Sequence, residues 1–264
     1  MKKYVLITGA SAGLGKAMAL ELARQGENLI LVALPNEGLD ELTRHIKLVY
    51  NVSVFSYETD LRFRPNIEAL VEWVSNQNLT IYYLINNAGI GGSKPFEQAE
   101  TEQLERIIQL NVIGTALLTR LLLPFLVKNQ QSYVLNVSSM AAFSPLPYKT
   151  VYPASKAFIY SFSLGLRAEL SHRGVQVSVL HPGPMPTSTE NLDRLRKHGW
   201  LGQISTVPTE TIAQIALQQV ARGKRVIIPG WANKVAYWAT RWIPWSIREP
   251  LMLFMIRREV ALSL

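Results

Sequence analysis

Thr8-Gly9-Ala10-Ser11-Ala12-Gly13-Leu14-Gly15 is a glycine-rich loop between a strand pattern and a helix pattern. It directly follows an apolar, β-rich run, Tyr4–Thr8, and opens a helical pattern over Leu14–Gln25. Glycines at that junction allow a tight turn and let the backbone approach a pyrophosphate, while the helix N-terminus turns unpaired N–H groups toward the phosphates. Glycine-rich turns are common, so the strand before and the helix after carry the inference. The spacing is T-G-x-x-x-G-x-G rather than G-x-G-x-x-G, and no Gly-Lys-Ser/Thr follows, which excludes a Walker loop.

Outward from this loop the pattern repeats. Strands are expected at Tyr4–Thr8, Asn28–Leu34, Ser53–Tyr57, Tyr82–Asn86, Ser132–Ser138, Val175–His181 and Arg225–Ile228. Helices are expected at Leu14–Gln25, Leu39–Tyr50, Asn66–Asn76, Glu102–Lys128, Tyr152–Arg173 and Thr209–Arg222. Near-continuous apolar strands are those buried on both faces. Alternation with helices predicts an α/β, Rossmann-type doubly wound parallel sheet of about seven strands with helices on both faces. Residues 1–230 form the dinucleotide-binding and catalytic domain in this reading. Residues 182–205, opening Pro-Gly-Pro-Met-Pro, interrupt the alternation and are expected as a substrate lid. Residues 231–264 are a basic, tryptophan-rich appendage, with four of the six tryptophans between 231 and 258.

Composition narrows the chemistry. The 264 residues are 48% hydrophobic and 17% charged, enough for a large core and too apolar for disorder. No cysteine is present, so disulfides, thiolate metal sites and cysteine nucleophiles are excluded, and no metal site is expected. The net charge of +8 admits nucleic acid, an anionic surface or an anionic cofactor. The glycine loop favours the cofactor, and no nucleic-acid partner is expected. Met1–Ile7 has too short an apolar run for a signal peptide and reads as the first strand. The chain is expected in the cytoplasm, in solution or peripheral to a membrane.

Ligands of open α/β sheets sit beyond the carboxyl ends of the strands. Asp60-Leu61, Asn86-Asn87-Ala88-Gly89 and Asn136-Val137-Ser138-Ser139 all fall on that edge, although Asn, Asp and Gly also favour ordinary turns. Tyr152-Pro153-Ala154-Ser155-Lys156 opens a long helix, which stacks Tyr152 and Lys156 one turn apart. A lysine ammonium near a phenol favours the phenolate and lowers its pKa, suiting tyrosine to acid/base work.

With these motifs together the sequence resembles the classical short-chain dehydrogenase/reductase family over residues 1 to about 230. The resemblance rests on Thr8–Gly15, Asp60, Asn86–Gly89, Asn111, Ser139, Tyr152 with Lys156, Pro182-Gly183 and Thr187, and on the thirteen residues from Ser139 to Tyr152. It implies an NAD(P)-dependent oxidoreductase acting on a small carbonyl or alcohol substrate. Tyr152 would be the proton donor or acceptor. Lys156 would lower its pKa and hold the nicotinamide ribose, Ser139 would orient the carbonyl, and Asn111 would bind a relay water. Gly9, Ser11, Gly13, Leu14 and Gly15 would line the pyrophosphate and ribose, Asp60, Leu61 and Asn87 would touch the adenine side and nearby ribose, and Ala88, Gly89, Tyr152 and Lys156 would also contact the cofactor. Pro182, Gly183 and Thr187 would fix the nicotinamide. A homodimer or homotetramer is implied by analogy.

Two departures from the family pattern matter. Val32-Ala33-Leu34-Pro35-Asn36 lacks both the acid that NAD-preferring members use and the arginine that NADP-preferring members use. With no carboxylate to repel a 2′-phosphate, and with Arg62 or Arg64 in reach of it, the expectation is NADP in preference to NAD. Pro186 directly precedes Thr187, which is unusual for the family.

Phe143, Leu146, Met185, Leu192 and Trp200 suggest an apolar pocket. For residues 231–264 three readings stand side by side: a peripheral membrane contact, a contact between molecules, and packing on the chain's own core. A non-catalytic dinucleotide sensor and a membrane-surface protein are the alternatives to the enzyme. Neither needs Asn111, Ser139, Tyr152 and Lys156 together.

Overall fold

In the computed structural model, which describes residues 2–185, 206–244, 246–250 and 253, the strands form one parallel sheet. They are β1 (Lys3–Thr8), β2 (Asn28–Ala33), β3 (Val54–Glu58), β4 (Thr80–Asn86), β5 (Ser132–Val137), β6 (Val175–Leu180) and β7 (Val226–Ile227), in the spatial order β3-β2-β1-β4-β5-β6-β7. Each expected strand is present with its ends shifted by at most two residues. The order reverses direction between β1 and β4, and such a switch point opens a crevice at the carboxyl ends.

The helices α1 (Gly13–Arg24), α2 (Leu39–Tyr50), α3 (Arg64–Asn76), α4 (Thr101–Ile108), α5 (Thr115–Leu126), α6 (Val151–Leu170), α7 (Thr209–Ala221) and α8 (Trp231–Trp242) flank it. Two buried clusters show why this is a doubly wound sheet. Val5, Ile7, Leu29 and Leu31 face one side, against Met18 and Leu22 of α1 and Ile212 of α7. The alternate residues Leu6, Ile30 and Val32 face the other, against Ile67 and Leu70 of α3 and Leu118 and Leu122 of α5. Each fully buried Leu or Ile contributes roughly 1.5–3 kcal/mol, so the continuous apolar strands are the main source of stability.

The expected helix Glu102–Lys128 is one rod with a flaw. α4 and α5 are joined by a π-helical stretch, Gln109–Gly114, which sets Asn111 against Ile90 just past β4 and Ser155 of α6. π-bulges inside helices are frequent at functional sites. Thr101–Leu126 is long and apolar enough to cross a membrane by length and composition, but its Leu118, Leu122 and Leu126 are buried in the core.

A buried polar ladder ties the two helices of this face to the sheet. Asn86 Nδ2 donates to Thr119 Oγ1 and to Asn136 Oδ1, both at 2.8 Å, and Asn136 Nδ2 donates to Ser163 Oγ at 2.9 Å. Satisfied networks of this kind hold one register, because a slip would strand buried polar groups.

Candidate active site

The glycine loop is built as a cradle. Gly9 and Gly13 have φ of +63° and +53°, open to glycine without strain. A Cβ on Gly15 would lie 2.0 Å from the Gly9 carbonyl oxygen, so only glycine lets α1 start against the loop. Asn87 Nδ2 donates to the carbonyls of Thr8 and Gly9, and Thr8 Oγ1 accepts from the amides of Asn87 and Ala88. Asn87 and Ala88 therefore lock the end of β4 to the loop. Ala12 begins α1 without a side-chain cap, and its first turn carries no acid. Uncapped N–H groups beside a close-packed backbone fit a pyrophosphate.

Asp60 follows β3 and is taken by Arg62, whose Nε lies 2.8 Å from Oδ2 and whose amide donates to Oδ1. Burial raises the Asp60 pKa, but the hydrogen bonds from Arg62 outweigh it and leave the carboxyl below its ordinary value. Arg64 pairs with Glu68 at 2.7 Å. Both arginines credited with reach to a 2′-phosphate are thus engaged with carboxylates. Glu37, just beyond the segment read for cofactor preference, instead accepts a 2.7 Å hydrogen bond from Ser11 Oγ.

The four residues of the proposed chemistry meet beyond β4 and β5. Lys156 is buried and donates from Nζ to the Val137 carbonyl at 3.0 Å. Asn111 Nδ2 donates to Ile90 O at 2.9 Å and to Ser155 Oγ at 3.0 Å, and its Oδ1 accepts from Ile90 N at 3.0 Å. A Cβ on Gly89 would stand 3.1 Å from both Asn111 Oδ1 and Lys156 Nζ, so this glycine lets the two groups share one pocket. Asn111 Oδ1 keeps a second lone pair, the acceptor a relay water needs.

The pKa values depart from expectation. Burial pushes the Tyr152 phenol above its ordinary value, and a hydrogen bond with the Ser139 side chain offsets only part of that. The Lys156 ammonium lies over the Tyr152 ring, 5.8 Å from its centroid, and burial brings it down to about 8. The i, i+4 spacing does make the two residues neighbours, but desolvation dominates the phenol.

Behind Ser139 stands a support that sequence reading missed. His181 is fully buried, and its Nδ1 lies 3.0 Å from the Ser139 carbonyl oxygen. Burial brings its pKa down to about 4, so the ring is neutral and donates from Nδ1 to that carbonyl. Phe143 packs on His181, with ring centroids 4.3 Å apart, and on Tyr237 of α8 at 4.6 Å. Asn233 of α8 is buried against Gly183, where a Cβ would meet its amide at 2.6 Å. One face of α8, the first helix past residue 230, forms the back of this wall. No local signal marks His181, Asn233 or Tyr237, since each acts through residues distant in the chain. Thr187, with the rest of 186–205, lies outside the described residues; Pro182 accepts from the Met140 amide at 3.0 Å.

A cleft opens at Tyr152, walled by Phe96, Leu104, Ile107, Tyr148 and Val151, with Lys94 and Lys149 also lining it. Tyr148 holds φ +62°, a strained conformation for a bulky residue, and its carbonyl accepts from Lys94 N at 2.8 Å.

The family model of short chain dehydrogenases matches residues 3–198. A very-long-chain 3-oxoacyl-CoA reductase of Neurospora crassa is 35% identical over 182 residues, covering 67% of this chain and 54% of the relative. The chain therefore spans about half the length of that curated relative. A short-chain dehydrogenase from Sphingobium yanoikuyae, solved with NADPH, superposes with a TM-score of 0.78 at 30% identity, covering 96% of this chain and 95% of the other. A 3-ketoacyl-(acyl-carrier-protein) reductase from Brucella melitensis, solved with NADH, gives 0.72 at 26% identity, covering 86% and 96%.

Proposed function

This chain belongs to the short-chain dehydrogenase family, and from that premise we propose that it is an NAD(P)-dependent oxidoreductase that reduces an apolar carbonyl, with Tyr152 as the proton donor. The observation that carries the reading is the convergence of Ser139, Tyr152, Lys156 and Asn111 at the carboxyl edge of the sheet. A dinucleotide sensor has no use for that set.

NAD(P)H, when bound, supplies the hydride. The Gly9–Gly15 cradle and the start of α1 would hold its phosphates, and Lys156 with the Pro182-Gly183 backbone would hold its nicotinamide end. Ser139 hydrogen-bonds the substrate carbonyl oxygen and orients it toward Tyr152. The Tyr152 hydroxyl gives its proton to that oxygen as the carbonyl carbon is reduced, leaving an alcohol and a phenolate. The Lys156 ammonium steadies the phenolate, and a water on Asn111 Oδ1 returns the proton from solvent.

The apolar side chains Phe96, Leu104, Ile107 and Val151 in the cleft, together with the activities of the Neurospora and Brucella relatives, support a 3-oxoacyl thioester as substrate. Following NAD(P)H absorbance across short ketones and C4 to C16 3-oxoacyl thioesters is expected to show kcat/KM rising with chain length. A flat or falling series would reject the apolar reading.

The reading extends to a membrane surface. The outward face of α8 carries Trp231, Val235, Trp238 and Trp242 at helical spacing, between 56% and 79% exposed. Lys234 and Arg241 flank them, and no acid lies between Gly230 and Arg248. Aromatic residues beside cations suit the headgroup level of an anionic bilayer. The protein is expected to sediment with phosphatidylglycerol vesicles, and a Trp238→Ala/Trp242→Ala variant to stay in the supernatant. Wild-type protein left in the supernatant would reject peripheral attachment. Exposed Ile108, Ile113 and Phe158 on the α4, π-helical and α6 segments support assembly as a homodimer or homotetramer.

A further inference from the structure

We propose that His181 is a positioning residue for carbonyl reduction: together with Pro182 it pins the Ser139–Met140 peptide, and so fixes the Ser139 hydroxyl relative to the loop that would hold the nicotinamide. This role rests on the reading of Ser139 as the group that orients the substrate carbonyl, and adds to it what sets the direction of that group.

The pin has two points on one peptide plane. His181 Nδ1 donates to the Ser139 carbonyl oxygen at 3.0 Å, and the Met140 amide donates to the Pro182 carbonyl at 3.0 Å. The anchor belongs to the sheet, because the His181 amide donates to Ile227 O at 2.8 Å and carries the β6–β7 pairing one residue past β6. Peptide direction reaches the hydroxyl through the next turn, where the Ala141 amide donates to Ser139 Oγ at 3.1 Å. A tilt of the Ser139–Met140 peptide would carry the Ala141 amide off that oxygen. With one lone pair given to Ala141, Oγ keeps a proton and a lone pair, enough for the Tyr152 hydroxyl and a substrate oxygen together.

A histidine at this place is costly to the fold. Its ring is fully buried against Phe143 and Tyr160, with centroids 4.3 and 5.0 Å away, and Nε2 has no hydrogen-bond partner among the described residues. An unpaired buried acceptor destabilises, and a phenyl ring would fill the same space without one. The Ser139 carbonyl has no need of His181 to be satisfied, since it also accepts from the Ala142 amide at 3.0 Å. What the second donor adds is direction: with both lone pairs engaged, the carbonyl cannot swing. Group transfer needs reacting atoms about 3–3.5 Å apart, and a misplacement of about 1 Å can cost about 100-fold in rate.

Two variants separate direction from packing. His181→Phe keeps a ring against Phe143 and Tyr160 but has no donor. It should lower kcat for 3-oxododecanoyl-CoA by about 10- to 100-fold, with KM and Tm little changed. The kinetic isotope effect from deuterated NAD(P)H should rise with it, as hydride transfer becomes rate-limiting. His181→Asn places Nδ2 where Nδ1 stood and leaves a hole where the rest of the ring was. It should restore most of the rate while lowering Tm by roughly 5 °C or more. Rate and stability then rank the two variants in opposite orders. A kcat that follows Tm across the variants, or that His181→Phe leaves unmoved, would overturn the role. Nitrogen NMR of the cofactor-free protein reads the donor without turnover: the proton is expected on Nδ1, and a proton on Nε2 would overturn the role whatever the rates. Wild-type protein that turned over no ketone and no 3-oxoacyl thioester would overturn the proposed function and this role with it.

Discussion

Replacing Tyr152 by phenylalanine is expected to lower kcat for carbonyl reduction by about 10²- to 10⁴-fold while dinucleotide affinity is retained. The phenyl ring keeps the volume that packs beside Gly91 and under the Lys156 ammonium. What is lost is the one hydroxyl that is both bonded to Ser139 and positioned to give up a proton. Stopped-flow turnover together with NAD(P)H fluorescence titration separates the two effects. A variant that keeps its rate would remove Tyr152 from the chemistry. The pH profile adds a signed check. Burial raises the Tyr152 pKa, so the phenol stays protonated through neutral pH, as reduction requires. Lys156 is brought down to about 8, so its ammonium is present below that pH and lost above it. Because kcat/KM for the cofactor reports the free enzyme, it should fall as pH rises through about 8. Lys156→Arg, with a guanidinium that stays charged, should abolish that limb even if the overall rate is lower.

Gly15→Ala is expected to destabilise the fold by at least about 3 kcal/mol, the upper range for an overpacked core site, and so to lower Tm by roughly 10 °C. The sign is the informative part. Glycine to alanine inside a helix ordinarily gains about 1 kcal/mol. Here the new methyl would sit 2.0 Å from the Gly9 carbonyl oxygen and 2.6 Å from Asn87 Nδ2, neither of which is a free side-chain end. To make room, the loop must leave Asn87, and the cradle opens. Gly165 in α6 is the control: it is exposed, and a Cβ there meets nothing within 4 Å. Gly165→Ala should raise Tm by a few degrees. A thermal melt in which both variants shift alike would show that α1 does not start in close contact with the loop.

Much of the candidate site could be read before the structure because its parts are local. Tyr152 and Lys156 are one helical turn apart, and Asn87 and Ser139 each lie just past the end of an apolar strand. In a parallel sheet every strand end falls on the same edge, so the topology brought them together without further instruction. Asn111 was located only through the family resemblance, and the π-helical stretch that turns it inward has no local sequence signature.

The sequence by itself determined the layered α/β architecture, because unbroken apolar runs must be buried on both faces and the helices between them supply the cover. It also determined the glycine cradle, since the loop, the strand before it and the helix after it are contiguous. Tertiary structure alone decided the electrostatics and the placing of His181, Asn233 and Tyr237 behind Ser139, Gly183 and Phe143. Whether a carboxylate reaches Ser11 depends on how the turn at Asn36 and Gly38 aims Glu37. Whether the Tyr152 phenol is favoured as an anion depends on how completely water is excluded from it. The tryptophan-rich tail was ambiguous for the same reason. Only packing shows that Asn233 and Tyr237 back the catalytic wall while Trp231, Trp238 and Trp242 face outward. Hydrophobic periodicity is a property of neighbours along the chain, whereas desolvation and charge depend on residues far apart in sequence that folding brings together.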